Sequence, residues 1–206
     1  TCQPSSMAKK LCHAVATAIG FCVVASRAEK LDASYLPNVP ASRIAQTIQE
    51  SISSLGPDVV VEVDVSSSAI GNDGFKLIVD SIINGEQKPI NLISRMNKIS
   101  SDGAAKVIGE MLDAHKDNST TVFGALDLGW NQFSDSAEDK KFLKTLRELI
   151  ESPSCCPSLL RLDACGLDAA ACRSIGKGLI NRYEKGERLI PISLHICMNK
   201  AIGDAG

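Results

Sequence analysis

The sequence predicts an α/β solenoid of about six repeats, curved, with a parallel β-sheet on the concave face and α-helices on the convex face. A strand-and-turn pattern recurs along the chain at a nearly constant interval, and an amphipathic helical stretch follows each copy. Aromatic residues make up only 4 % of the 206 residues. So few aromatics are expected where Leu, Ile, Val and Ala fill a solenoid core.

The clearest copy of the pattern spans Leu126 to Phe133 and reads Leu-Asp-Leu-Gly-Trp-Asn-Gln-Phe. Its apolar residues alternate as in a strand with one buried face, and Asn131 can bond to backbone groups of neighbouring turns. Alignment to this Asn gives Ser34, Ser68, Asn97, Asn131, Cys165 and Asn199, at intervals of 34, 29, 34, 34 and 34 residues. Tetratricopeptide repeats share the 34-residue period, but they consist of two helices without a strand. The strand pattern therefore argues against them.

This alignment assigns a strand and a helix to each unit. The predicted strands are Glu29-Lys30-Leu31, Val63-Asp64-Val65, Leu92-Ile93-Ser94, Leu126-Asp127-Leu128, Leu160-Arg161-Leu162 and Leu194-His195-Ile196. The helices are predicted from apolar pairs spaced i, i+4, namely Ile44 and Ile48, Ile78 and Ile82, Val107 and Met111, Phe142 and Leu146, and Ile175 and Leu179. Glu29 and Ser94 take inward positions where an apolar residue is expected.

The beginning of the chain has two interpretations. Residues 7–28 combine a basic start, an apolar middle and small residues at the end, as a signal peptide does. However, Leu11, Val15, Ala18 and Ile19 repeat the spacing of Phe142, Leu146, Leu149 and Ile150, which favours the helix of a preceding repeat. Neither end of the chain carries the polar cap that terminal repeats need. We therefore expect residues 1–206 to form a single repeat domain that is a piece of a longer array.

Composition argues against several function classes. The net charge is −2 and no run of Lys or Arg is present, which disfavours nucleic acid and anionic membranes as partners. The longest apolar run is short of the roughly 20 residues of a membrane span. The eight cysteines contain no C-x-x-C pair and the three histidines are scattered, so no metal or cofactor is predicted. Reduced, mostly buried thiols in a cytoplasmic protein are expected.

Four segments carry a family resemblance: residues 126–133, 160–167 with Cys165 in the Asn place, 92–103, and 194–206. They resemble the ribonuclease-inhibitor-like class of leucine-rich repeats, and the resemblance covers nearly the whole chain. Within that class, the long units are similar to the repeat domains of actin-regulatory capping-protein-linker proteins and of Ran-type GTPase activators. Ser34, Ser68 and the segment 199–202 depart from the standard pattern.

The resemblance implies that the strands line a concave face and that the residues between the repeated apolar positions point out from it. Reading those positions gives one candidate patch for binding a partner protein: Arg95, Met96, Asp127, Trp130, Arg161, Asp163, His195 and Met198. Trp130 is the only tryptophan, and Trp and Arg are enriched among interface hot spots. The alternative is that Trp130 folds over its own turn and that the charged residues form a solvated ladder of little energetic value.

We therefore predict a protein-interaction scaffold without enzymatic activity. No histidine is placed with a nucleophile and an acid, and the aspartates Asp73, Asp102 and Asp204 at helix starts are explained by the helix dipole. Two alternatives stay open. One is a GTPase-activator repeat domain, which a GTP-hydrolysis assay with a Ran-type GTPase would test, and the other is a structural array that contacts the rest of its own repeats.

Overall fold

The computed structural model describes residues 28–56, 59–84, 89–116, 123–133, 139–185 and 192–202. In these ranges six strands alternate with five α-helices. The strands are β1 (Ala28–Asp32), β2 (Val60–Asp64), β3 (Ile90–Ile93), β4 (Phe123–Asp127), β5 (Leu159–Arg161) and β6 (Ser193–His195). The helices are α1 (Ala41–Ser54), α2 (Gly71–Ile83), α3 (Ser101–Lys116), α4 (Asp139–Glu151) and α5 (Ala169–Glu184), and a short 3₁₀ helix, Lys200–Ile202, follows β6.

The strands form one parallel sheet in sequence order, β1 to β6. Each helix returns the chain to the start of the next strand and packs mainly against the helices before and after it. A strand, a turn and a helix thus form one unit that is added beside the previous one. This arrangement is consistent with an α/β solenoid.

Only one face of the sheet is covered by the helices. Val61 and Val63 of β2 are fully buried, whereas Glu62 and Asp64, which alternate with them, are partly exposed on the opposite side. We call that opposite side the open face. Its strand residues form two rows, one of Lys30, Glu62, Asn91, Ala125, Leu159 and Ser193, and one of Asp32, Asp64, Ile93, Asp127, Arg161 and His195.

The core lies between the sheet and the helices. The predicted helix residues Ile48, Ile78, Val107, Phe142 and Leu146 are all buried there. Leucine and valine side chains from the strands fill the other side of the core. The i, i+4 spacing therefore predicted the inward faces of the helices correctly.

A ladder of asparagine side chains holds the turns together. Asn131 Oδ1 accepts from the backbone N–H groups of Asn97 and Ile99 at 3.0 and 3.1 Å. Its Nδ2 donates to the carbonyl oxygens of Ser94 and Leu128, both at 2.9 Å. Each amide thus joins two successive turns, which confirms the structural role predicted for these asparagines.

Asn97 and Asn199 make the equivalent bonds in their own units. Asn97 Nδ2 donates to the carbonyl of Val65, and Asn199 Nδ2 to that of Leu162. Cys165 occupies the same place, as predicted, but its Sγ makes a poorer bond to the Leu128 carbonyl at 3.2 Å. Burial raises the pKa of this thiol to about 12, so it is a neutral donor.

The alignment of the first unit was wrong by two residues. Asp32 pairs with Asp64, so the interval between the first two strands is 32 residues and not 34. Leu36 takes the Asn place instead of Ser34, because its N–H donates to Ser68 Oγ at 3.1 Å. The inward residues of this unit are therefore Leu31 and Ala33. The leucine side chain carries no amide group, so the sequence of the first unit contained no Asn that could mark the correct register.

Several predictions fall on residues outside the described ranges. They include the helix or targeting segment of residues 7–27 and Asp204. Where the structure describes the chain, no helix is both long enough and apolar enough to cross a membrane. Of the eight cysteines, Cys155, Cys156 and Cys165 are free and buried, whereas Cys172 is partly exposed and Cys197 exposed.

Candidate functional site

The turn after each strand has, at the same position in every unit, a residue in the left-handed region of backbone conformation. These residues are Tyr35, Ser67, Met96, Trp130, Ala164 and Met198, with φ between 53° and 62°. Their N–H groups extend the parallel ladder beyond the strands, for example from Trp130 to the carbonyl of Asp163 at 2.7 Å. A left-handed conformation is unfavourable for residues other than glycine, and here it recurs in all six described turns. The turn conformation is thus a requirement of the fold.

The side chains on these turns are not required by the fold in the same way. Ser67 and Ala164 are small, but Tyr35, Met96 and Met198 are more than half exposed and Trp130 is 45 % exposed. A large apolar side chain gains little stability at such a position, because most of its surface stays in water. Four large exposed residues in one line along the rim of the open face form a surface suited to contact with another molecule.

A cavity of about 570 Å³ lies on the open face beside this rim. It is lined by five of the eight predicted partner-binding residues: Arg95, Met96, Asp127, Trp130 and Arg161. The other three, Asp163, His195 and Met198, lie on β6 and on the turns that follow β5 and β6 and do not line it. The predicted patch is thus divided between a cavity and a flatter continuation towards β6.

The patch predicted from the sequence left out several residues of this cavity. Tyr35, Glu62, Asp64, Asn91, Ile93 and Leu159 also line it. Tyr35 was overlooked because the misaligned first unit put Ala33 in its place. Asn91 and Leu159 belong to the row of the open face that runs from Lys30 to Ser193, which the turn-centred pattern does not include.

Asp127 is the buried centre of the basic part of the cavity. Its Oδ1 accepts from the Gly129 N–H at 3.0 Å, and its Oδ2 lies 3.7 Å from Arg95 Nε. Burial raises the pKa of this carboxyl, and the Gly129 N–H and the nearby guanidinium groups of Arg95 and Arg161 oppose that rise only in part. Asp127 therefore holds the turn through Gly129 and faces Arg95, and it has little surface of its own to offer a partner.

An acidic cluster lies at the other end of the open face, across β1 and β2. Lys30 Nζ is 3.7 Å from Asp32, 3.6 Å from Glu62 and 3.5 Å from Asp64. One ammonium group therefore faces three carboxylates. These pairs are exposed, so each contributes little to stability, but together they leave a net negative charge beside the cavity.

The residues towards β6 have local partners. Asp163 Oδ1 accepts from the Cys197 N–H of the next unit at 2.8 Å, and thus joins the turns after β5 and β6. His195 Nε2 lies 3.1 Å from Ser193 Oγ. Met198 is 65 % exposed and continues the line of turn residues.

Among the residues that the structure describes, no group of three or more His, Cys, Asp or Glu side chains could hold a metal ion. The site thus consists of an apolar rim, two arginines around a buried carboxylate, and an acidic cluster. A comparison of the chain with protein-family models and with the curated proteins found no match.

Proposed function

We propose that this chain is a protein-interaction module of the ribonuclease-inhibitor-like leucine-rich repeat class, whose open face is the concave surface that binds a partner protein. Its repeated unit of strand, amide-bonded turn and helix supports the class. The ladder through Asn97, Asn131 and Asn199 joins each turn to the one before it. Binding through an extended surface of this kind is the usual function of repeat arrays.

The observation that carries the proposal is the placement of Trp130. Its side chain is 45 % exposed, lines the cavity of the open face, and has Met96 beside it on the preceding turn. Tryptophan, tyrosine and arginine dominate the energetics of protein interfaces because they bury a large area when they are desolvated. Trp130, Tyr35 and Arg95 bring these three residue types to one cavity.

The proposal can be tested by cross-linking capture from a cytosolic extract. The wild-type chain is compared with Trp130→Ala, which removes the indole without touching a core residue. A partner that depends on the open face is captured by the wild type and binds Trp130→Ala about thirtyfold more weakly or worse, since removal of a hot spot costs about 2 kcal/mol or more.

Tyr183→Ala provides the matched control. Tyr183 is 72 % exposed on α5, away from the open face, and its removal is expected to leave capture unchanged. Circular dichroism verifies that both variants are folded. Equal capture by wild type and Trp130→Ala, or loss of capture with Tyr183→Ala alone, would rule out the open face as the binding surface.

A further inference from the structure

The two ends of the open face differ in charge. Across β1 and β2, Lys30 faces the three carboxylates of Asp32, Glu62 and Asp64, so this end carries an excess of negative charge. At the other end, the cavity is lined by the guanidinium groups of Arg95 and Arg161 and by one carboxylate, that of Asp127. A second carboxylate, Asp163, acts on Asp127 from outside the lining. The lining of this end therefore has one more positive than negative group.

Arg161 is incompletely paired. Its Nε is buried and has no hydrogen-bond partner within the described part of the chain. Asp127, which interacts electrostatically with Arg161, already accepts from Gly129 and faces Arg95. A buried guanidinium nitrogen without an acceptor is unfavourable, so an additional carboxylate beside Arg161 would improve the pairing of this end.

Apolar side chains lie between the two charged ends and beside the basic one. Ile93 and Leu159 line the cavity floor, and Met96 and Trp130 line its rim. A cavity of about 570 Å³ is large enough for a few side chains but far too small for a folded domain. It suits a short segment that crosses the strands.

We propose that the open face binds an extended peptide segment of a partner protein that carries a basic residue and an acidic residue three or four positions apart, with apolar side chains between them. The basic residue lies over the centre of the acidic cluster, and the acidic residue over Arg95 and Arg161. This inference rests on the proposed function of the open face, and it names the chemistry of the partner.

The separation follows from the spacing of the strands. Neighbouring strands lie about 4.8 Å apart, so the centre of the acidic cluster, between β1 and β2, is about 12 Å from β4 at the centre of the basic end. An extended chain advances about 3.3–3.6 Å per residue. Three to four residues therefore span the two charged ends.

The test is a selection of random twelve-residue peptides displayed on phage against the immobilised chain. We expect the enriched peptides to share a Lys or Arg and an Asp or Glu three or four positions apart. The strongest peptide is then synthesised with a fluorescent label, and its affinity is measured by anisotropy for the wild type and for Arg161→Glu, Glu62→Lys and Trp130→Ala. Each charge reversal is expected to weaken binding about tenfold or more.

A charge swap makes the test specific. A peptide whose acidic residue is replaced by Lys should recover most of its affinity for Arg161→Glu, and it should bind the wild type poorly. Lys144→Glu on the exposed surface of α4 is the matched charge control, since Lys144 pairs only weakly with Glu148, at 3.7 Å. It should bind the original peptide within about twofold of the wild type, because exposed charges beyond a Debye length are screened.

The outcomes distinguish this inference from the proposed function. If the enriched peptides lose affinity with Trp130→Ala but are indifferent to both charge reversals, the open face is a binding surface and the charge pattern is wrong. If no peptide is enriched, the inference of a peptide ligand fails, and the capture experiment with Trp130→Ala decides the proposed function separately. If peptides are enriched but their binding is unaffected by Trp130→Ala, both proposals fail.

Discussion

Asn131 shows how one side chain can hold a turn in place. It is almost fully buried, and its amide makes four hydrogen bonds, two as acceptor and two as donor. All four partners are backbone groups in its own turn or the preceding one. Without the amide these groups would be buried and unpaired, which is expensive in a protein interior.

Replacement of Asn131 by alanine should therefore lower the free energy of unfolding by about 2–5 kcal/mol, because several buried backbone groups lose their partner at once. Urea unfolding followed by circular dichroism measures the change. Asn91→Ala, on the open face, is the control and should change stability by less than about 0.5 kcal/mol. A loss below about 1 kcal/mol for Asn131→Ala would mean that water replaces the amide at little cost.

Cys165 allows the reverse experiment. Its thiol replaces an amide in the ladder and makes a bond to the Leu128 carbonyl, while its own N–H donates to Asn199 Oδ1 at 2.8 Å. Asparagine is close to cysteine in size and would restore the missing donor and acceptor. Cys165→Asn is expected to raise the free energy of unfolding by about 1 kcal/mol, measured in the same urea titration. A destabilised variant would show that this turn cannot accommodate the larger amide.

At the scale of the elements, a glycine shapes the contact between α2 and α3. Asn72 of α2 accepts from the Ser100 N–H and donates to Ser100 Oγ, both at 2.9 Å. Gly103, in the first turn of α3, leaves room for this amide, because a Cβ there would overlap the Asn72 side chain. The bond between the two helix starts therefore depends on the glycine.

Gly103→Ala should displace Asn72 and lower the free energy of unfolding by about 1–3 kcal/mol, as overpacking does elsewhere. Gly109→Ala in the same helix is the matched control. A Cβ at Gly109 meets nothing within 4 Å, so alanine there should stabilise the helix by up to about 1 kcal/mol through its higher helix propensity. If the two substitutions had the same sign in urea unfolding, the proposed dependence on Asn72 would be wrong.

The elements also show what the sequence could predict. Alternating apolar residues in β2, β4 and β5 and the i, i+4 pairs in the helices report directly on burial, so the order of strands and helices was predictable. The register of the first unit was not, because Leu36 replaces the amide that marks it elsewhere. Five residues of the cavity were found, since Trp130 and its neighbours follow the repeat pattern. Tyr35 was missed because the register of the first unit was wrong. Glu62 was missed because the sequence does not reveal which row of the open face lines a cavity.

For the molecule as a whole, the important property is that each unit packs mainly against its two neighbours. The sheet follows sequence order, and the helices contact one another in the same order. Stability in such an array is approximately the sum of the stability of each unit and of the contacts between neighbouring units. A local defect should therefore stay local.

Leu160→Ala tests this property, because Leu160 is fully buried in β5 and its truncation removes about 2–5 kcal/mol of core packing. Hydrogen exchange read by mass spectrometry should show faster exchange in β5, α5 and β6, which depend directly on this unit. Protection in β2 and α2, at least two units away, should change only slightly, since opening near β5 leaves their own contacts intact. Val63→Ala in β2 is the matched substitution and should produce the mirror-image pattern. If both variants lost protection uniformly along the chain, the units would unfold together, and the open face could not adapt to a partner one unit at a time.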